Sequence, residues 1–162
     1  HGTVAVTPRR VPGRLAAALR GGLGIYRLGF ALLTPDHALM QARFYGGVEA
    51  NSPLHRFEFE RNGRTIFAKL MDKPAALILN HSNRARVAPL LTEHVRKVIE
   101  TDEFMAHSIF IGDRPIGLCY ADRGISRRSF TAEEYQVFRA QCQLLVKRLG
   151  TLVVNRGKLV AD

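Results

Sequence analysis

Side chains able to do chemistry are few in this chain of 162 residues: two cysteines, Cys119 and Cys142, and six histidines, His1, His37, His55, His81, His94 and His107. A thiol attacks only as its thiolate, which needs exposure and a lowered pKa. Cys119 lies in the apolar run Ile116 to Tyr120 and Cys142 at helical spacing from Phe138 and Leu145, so both read as small hydrophobes. The chain has no Cys-x-x-Cys and no His-x-x-x-His spacing, which leaves no pattern for a metal, and no cofactor is expected. His94, beside Leu91 and Val95, is the histidine best placed to reach a cavity and hydrogen-bond a ligand. A helix histidine is, however, more often a satisfied half-buried residue. Asp122-Arg123 and Asn80 each end an apolar strand and read first as loop caps. With no Ser/His/Asp constellation, phosphate loop or carboxylate pair, the expectation is a protein that is not an enzyme.

The elements that must position these groups follow from periodicity and turn residues. Leu15, Leu19 and Leu23 recur every four residues after Pro12, a helical spacing that Gly21 and Gly22 weaken. Leu28 to Leu33 and Leu39 to Tyr45 flank Thr34-Pro35-Asp36 and predict a hairpin ended by Gly46-Gly47. Phe57 and Phe59 alternate with Arg56, Glu58 and Glu60, as in a short strand with one wet face. Ile66, Phe67, Leu70 and Met71 have helical spacing, and Ala75 to Leu79 after Pro74 reads as a buried strand. Pro89 is expected at the first position of a helix whose stripe is Leu90, Leu91, His94, Val95, Val98 and Ile99. Thr131 with Glu134 makes a capping box, and Phe130 with Tyr135 a hydrophobic staple, for a last helix starting near Ala132. Phe138, Cys142, Leu145 and Leu149 form its main stripe; Val137, Leu144 and Val146 widen it beyond what one sheet face needs, so the excess is expected to meet a partner helix.

The segment Phe104 to Asp122 reads as a hairpin around Gly112-Asp113, with Ile111 opposite Arg114. In an unbroken register, Phe104, Ala106 and Ser108 share a face with Gly117, Cys119 and Ala121, while Met105, His107 and Ile109 share the other with Ile116, Leu118 and Tyr120. One face is then small and the other bulky. The small face is the expected wall of a ligand cavity, formed by Ala106, Ser108, Cys119 and Ala121 with Phe59, Asn80 and His94 around it. The competing expectation is a helix pressed close against those small residues.

The net charge of +10 sits at the ends. Residues 1–35 carry five arginines and no acid, residues 135–161 five Lys/Arg and no acid, and residues 36–134 fourteen Lys/Arg against thirteen Asp/Glu. A nucleic-acid reader would place its charge on a recognition helix or on a sheet with stacking aromatics, and neither pattern is present, so nucleic-acid binding is disfavoured. The longest apolar stretches fall far short of the ~18 residues of a membrane span. One domain over residues 15–150 is expected, with tails at 1–14 and 151–162. His1 without an apolar leader reads as the start of a piece of a longer protein, and the cysteine usage as a reducing, cytoplasmic setting.

The run Ile109-Phe-Ile-Gly-Asp-Arg-Pro-Ile-Gly-Leu-Cys-Tyr-Ala-Asp-Arg123, followed by Phe130-Thr-Ala-Glu-Glu134, resembles the C-terminal half of a GAF domain. Gly29-Phe-Ala-Leu-Leu33 and the Gly-Leu-Cys-Tyr-Ala-Asp-Arg stretch resemble the GAF-like modules C-terminal to HDOD domains in bacterial signalling proteins. The resemblance spans Leu15 to Leu149. It implies an α+β fold with a central antiparallel sheet, the terminal helices on one face and a helix- and loop-covered pocket on the other. It further implies a sensory or regulatory module that binds a small molecule or a partner domain and is attached to an output domain such as HDOD; the basic ends and the over-wide stripe of the last helix add the expectation that the terminal helices mediate a homodimer or contact with that attached domain. The Asn-Lys-Phe-Asp-Glu signature of cyclic-nucleotide-binding members is not matched by Asn80-His81-Ser82-Asn83, and no bilin-binding cysteine and histidine can be placed. Two alternatives stand beside it: a thiol-dependent reductase of methionine sulfoxide with Cys119 as nucleophile, and a basic nucleic-acid-associated module.

Overall fold

A computed structural model describes residues 8–11, 17, 27–124 and 129–161, with the side chains of the last helix described to Thr151. The helix expected from Leu15, Leu19 and Leu23 lies outside the described residues. Among the described residues, seven strands form one sheet: β1 Arg9–Arg10, β2 Arg27–Leu33, β3 Leu39–Gly46, β4 Glu58–Glu60, β5 Ala76–Leu79, β6 Phe104–Ile111 and β7 Arg114–Asp122. Their spatial order is β1-β3-β2-β7-β6-β5, with β4 also on β3. Every pairing is antiparallel except the short β1–β3 contact. The helices are α1 Ile66–Lys69, α2 Arg84–Val87, α3 Glu93–Ile99 and α4 Ala132–Ala161.

Alternation sorts the core into two layers. Met40, Phe59, Phe67, Phe104, Leu118 and Tyr120 pack on one face, beneath the chain from Val48 to Ile99. Leu28, Phe30, Met105, Ile109, Cys119 and Ala121 pack on the other, against Phe138 and Cys142 of α4. The α+β architecture expected from the sequence is present. The capping box of α4 is also formed: the Glu134 amide donates to Thr131 Oγ1 at 3.1 Å, and the Thr131 amide to Glu134 Oε1 at 2.9 Å.

Three elements differ from expectation. Pro89 sits in a 3₁₀ turn, Ala88–Leu90, and α3 begins at Glu93, because the Thr92 side chain accepts from the Val95 amide and supplies the cap. The segment expected as a C-terminal tail at 151–162 continues the last helix through Ala161; Gly150 weakens a helix by only about 1 kcal/mol, and no proline follows it.

The third difference lies in the β6–β7 hairpin, and it decides the faces. Ile111 pairs Arg114 and Phe110 pairs Pro115 as expected, but the next pair is Ile109 with Gly117. Ile116 is therefore an extra, bulged residue on β7. Beyond it Ala106 pairs Tyr120 and His107 pairs Cys119, so each face of the hairpin mixes small and large side chains. Gly117 beside the bulge has no room for a side chain: a Cβ there would lie 2.0 Å from the Ala31 carbonyl oxygen of β2.

Candidate functional site

The face beneath the Val48–Ile99 layer is where the sequence leads one to expect a pocket. It is filled. The turn at Pro53–Arg56 and β4 carry Phe57 and Phe59 inward, α1 adds Phe67, and the sheet adds Phe104 and Tyr120. Ring centroids lie 4.4 Å apart for Phe57–Phe59, 4.9 Å for Phe57–Phe67, 5.4 Å for Phe67–Phe104 and 5.3 Å for Phe104–Tyr120. Such edge and tilted pairs add about 0.5–1.5 kcal/mol each beyond area burial. Beside the cluster a space of about 20 Å³ remains between β2, β3 and Leu54, roughly the room of one water. A ligand seated in this layer would have to displace a ring, and losing one buried Phe costs about 3–5 kcal/mol.

The seven residues expected to share a cavity are divided between the two faces. Phe59 is in the aromatic cluster, and Ala106 is fully buried in the same layer. His94 is at the surface, its Nε2 3.0 Å from the Glu58 carbonyl oxygen and its ring against Phe59 at 5.2 Å. This is the satisfied helix histidine. Asn80 caps the loop after β5, its Oδ1 accepting from the Ser82 and Asn83 amides at 3.0 and 3.2 Å. Ser108 accepts from the Ala75 amide at 2.8 Å and donates to the Ala75 carbonyl at 3.0 Å, tying the approach to β5 onto β6. Cys119 and Ala121 point the other way, at α4. The extra residue at Ile116 exchanges their face relative to an unbroken register.

The two cysteines meet under α4, both free and fully buried. Burial pushes the Cys119 thiol well up, and the neighbouring Cys142 thiol adds to it. A thiol held protonated between a sheet and a helix is a poor nucleophile.

A polar cluster lies at the end of β7, around the Asp122 that the sequence suggests as a loop cap; its partners Arg27 and Tyr120 were not foreseen. Asp122, with no solvent exposure, accepts from Arg27 Nε at 2.8 Å, Arg27 Nη2 at 2.7 Å, the Tyr120 hydroxyl at 2.5 Å and the Gly124 amide at 2.7 Å. Arg27 also donates to the Ile99 carbonyl at 2.6 Å. Burial alone would lower the Arg27 pKa, but the hydrogen bond and charge of Asp122 outweigh it and raise it. Burial, then the Asp122 charge, raises the Tyr120 phenol well above its ordinary value, so it stays a donor. With about four acceptor sites on a carboxylate, Asp122 has none left for a substrate. The cluster is a clamp joining β2, β7 and the end of α3. One signal was available: Tyr120 and Asp122 are two apart on a strand and share a face. Next door, Arg123 pairs with Glu134, donates to the Ser129 carbonyl at 3.0 Å and stacks over Phe130 at 4.2 Å. Asp122-Arg123 is thus an anchor for the strand end and the start of α4.

No family model matches the chain, and no curated protein does. Solved structures do. The chain is similar to the GAF domain/HD domain protein from Geobacter sulfurreducens, with a TM-score of 0.63 at 16% identity over 86% of this chain and 90% of that one. It is similar to a methyl-accepting chemotaxis protein, with a TM-score of 0.61 at 15% identity over 91% and 89%. A phycocyanobilin-bound GAF domain from a cyanobacterial phytochrome gives a TM-score of 0.59 at 17% identity over 86% and 80%. The fold is that of GAF domains. Among the described residues no helix is long and apolar enough to cross a membrane, and no three His, Cys, Asp or Glu side chains gather as a metal site.

Proposed function

We propose that this chain is a non-catalytic regulatory domain of a bacterial, cytoplasmic signalling protein, which takes its input by contact with a partner domain and passes it along α4. The observation that carries the reading is the contrast between the two faces. The layer where a GAF-type pocket is expected is occupied by five aromatic rings, whereas α4, at 30 residues, is about 45 Å long. Its described contacts with the sheet run from Tyr135 to Leu149, and Val137 and Leu144 stay exposed on it. Those two are seven residues apart, the repeat of a helix-to-helix seam, and a second copy is the proposed occupant. Among the similar structures are residues 122 to 287 of a methyl-accepting chemotaxis protein and a protein named for a GAF and an HD domain, which supports an attached output domain; HDOD is the type that the sequence resemblance suggests.

The test is sedimentation equilibrium of the full chain against the double variant Val137→Glu, Leu144→Glu. Self-association of the native chain that the variant abolishes, with unchanged circular dichroism, supports the reading. A native chain that is monomeric at all concentrations, or a variant that associates equally, overturns the helix-mediated dimer.

A further inference from the structure

On the α4 face of the sheet, away from the aromatic cluster, an open groove of about 380 Å³ runs between the approach to β5, the outer half of β6 and α4. It falls within the ~300–1,000 Å³ range of small-molecule sites. Its walls are apolar at Ala75, Phe110 and Val146 and polar at His107, Arg139 and Gln143, with no carboxylate among its lining residues. Two of these polar groups have hydrogen-bonding capacity that the described residues leave unused. Arg139 Nε is shielded from solvent and has no acceptor among the described residues, an arrangement that costs free energy unless something supplies one. The guanidinium lies 5.6 Å from the Tyr135 ring, which limits where its fork can point. His107 Nδ1 lies 2.7 Å from the Ser108 carbonyl oxygen and so carries the proton of that bond, leaving Nε2 uncommitted. Arg139 is close enough to act on His107, and its charge works with burial to lower the imidazole pKa. Arg139 is thus the one charged group among the described lining residues.

We infer that this groove binds a small organic carboxylate with an apolar body, its carboxylate on the Arg139 guanidinium and beside His107, and its body against Phe110 and Val146. A planar fork matches a carboxylate in two parallel hydrogen bonds, and Gln143, one turn along α4, is an exposed lining residue whose amide can meet a second polar group. The site does not rest on the regulatory reading, since it lies on the other face from the filled pocket and away from Val137 and Leu144.

The test uses the full chain, with benzoate as probe, benzamide as its neutral counterpart and inorganic phosphate as an anion without an apolar body. Binding is followed by calorimetry and by the His107 imidazole proton resonance, assigned with His107→Gln. Saturable binding of benzoate that moves the His107 resonance is expected, with benzamide and phosphate each at least about tenfold weaker. Arg139→Gln should weaken benzoate by about tenfold or more, the loss of a charged hydrogen bond, while Arg139→Lys retains part of it. The inference is overturned if benzoate fails to bind, if benzamide or phosphate binds as well, or if the His107 resonance stays still. Equal benzoate affinity in Arg139→Gln overturns it too; should that variant not fold, the comparison of benzoate with benzamide on the native chain decides.

Discussion

His107 and Ala121 show how burial, more than residue type, sets what a side chain does here. Burial lowers the His107 pKa and Arg139 lowers it further, against the raising effect of the Ser108 hydrogen bond. The folded chain thus takes up this proton less readily than the unfolded one, whose imidazole has a pKa of about 6.5. His107 contributes stability that is whole above that pH and is lost as pH falls through the lowered folded value. Urea titrations between pH 7.5 and 5 should show stability falling in the native chain and falling less in His107→Gln; equal slopes would show that His107 is not a source. Ala121 faces α4, fully buried with Phe138 and Cys142. Ala121→Leu should then overpack a closed layer and cost about 1–3 kcal/mol in thermal unfolding. A neutral change would mean unfilled space there.

Strands, helices and caps were legible where one face is wet or where turn chemistry is explicit. The β2–β3 hairpin follows from Thr34-Pro35-Asp36, β4 from Glu58-Phe59-Glu60, and the start of α4 from Thr131 and Glu134. The two-residue β1 carries no period at all, and the α3 start was hidden because Pro89 offers an equally good N1 signal three residues before Thr92. The candidate cavity failed for a different reason. Ile109, Phe110 and Ile111 pair with Gly117, Pro115 and Arg114, and with apolar residues at Ile109 to Ile111 and at Pro115 and Ile116 the pattern cannot say which residue is the extra one. Gly117 was the usable mark, since a glycine inside a strand often signals a bulge or a close backbone approach. The aromatic cluster could not be read because it joins residues from β4, α1, β6 and β7. Gly117→Ala should force β2 and β7 apart, since its Cβ would meet backbone rather than a movable side chain. The expected outcome is a large loss of stability, with faster hydrogen exchange at the Ala31 and Leu32 amides. Native exchange rates there would show that the strands can absorb a methyl group.

Taken as one body, the molecule is a sheet closed on both sides, by aromatic rings on one and by a long helix on the other, with the Arg27–Asp122 clamp fastening the helix layer to the strand ends. Its +10 charge comes from the two ends of the chain rather than from its middle, so any attraction for polyanions belongs to those ends. The bulge at Ile116 bears on how the gene can change in length. An odd change in strand length ordinarily swaps inside for outside along everything that follows. Here the chain already carries its odd residue, so loss of codon 116 yields an unbroken hairpin with Leu118 and Tyr120 still facing the rings and Cys119 still facing α4. Loss of codon 118 removes a buried core side chain, and it either reverses the rest of β7 or spends the bulge and moves Gly117 off the Ala31 backbone. Deletion of residue 116 should therefore give a folded, protease-resistant protein where deletion of residue 118 does not, and equal failure of the two would show that the extra residue is indispensable.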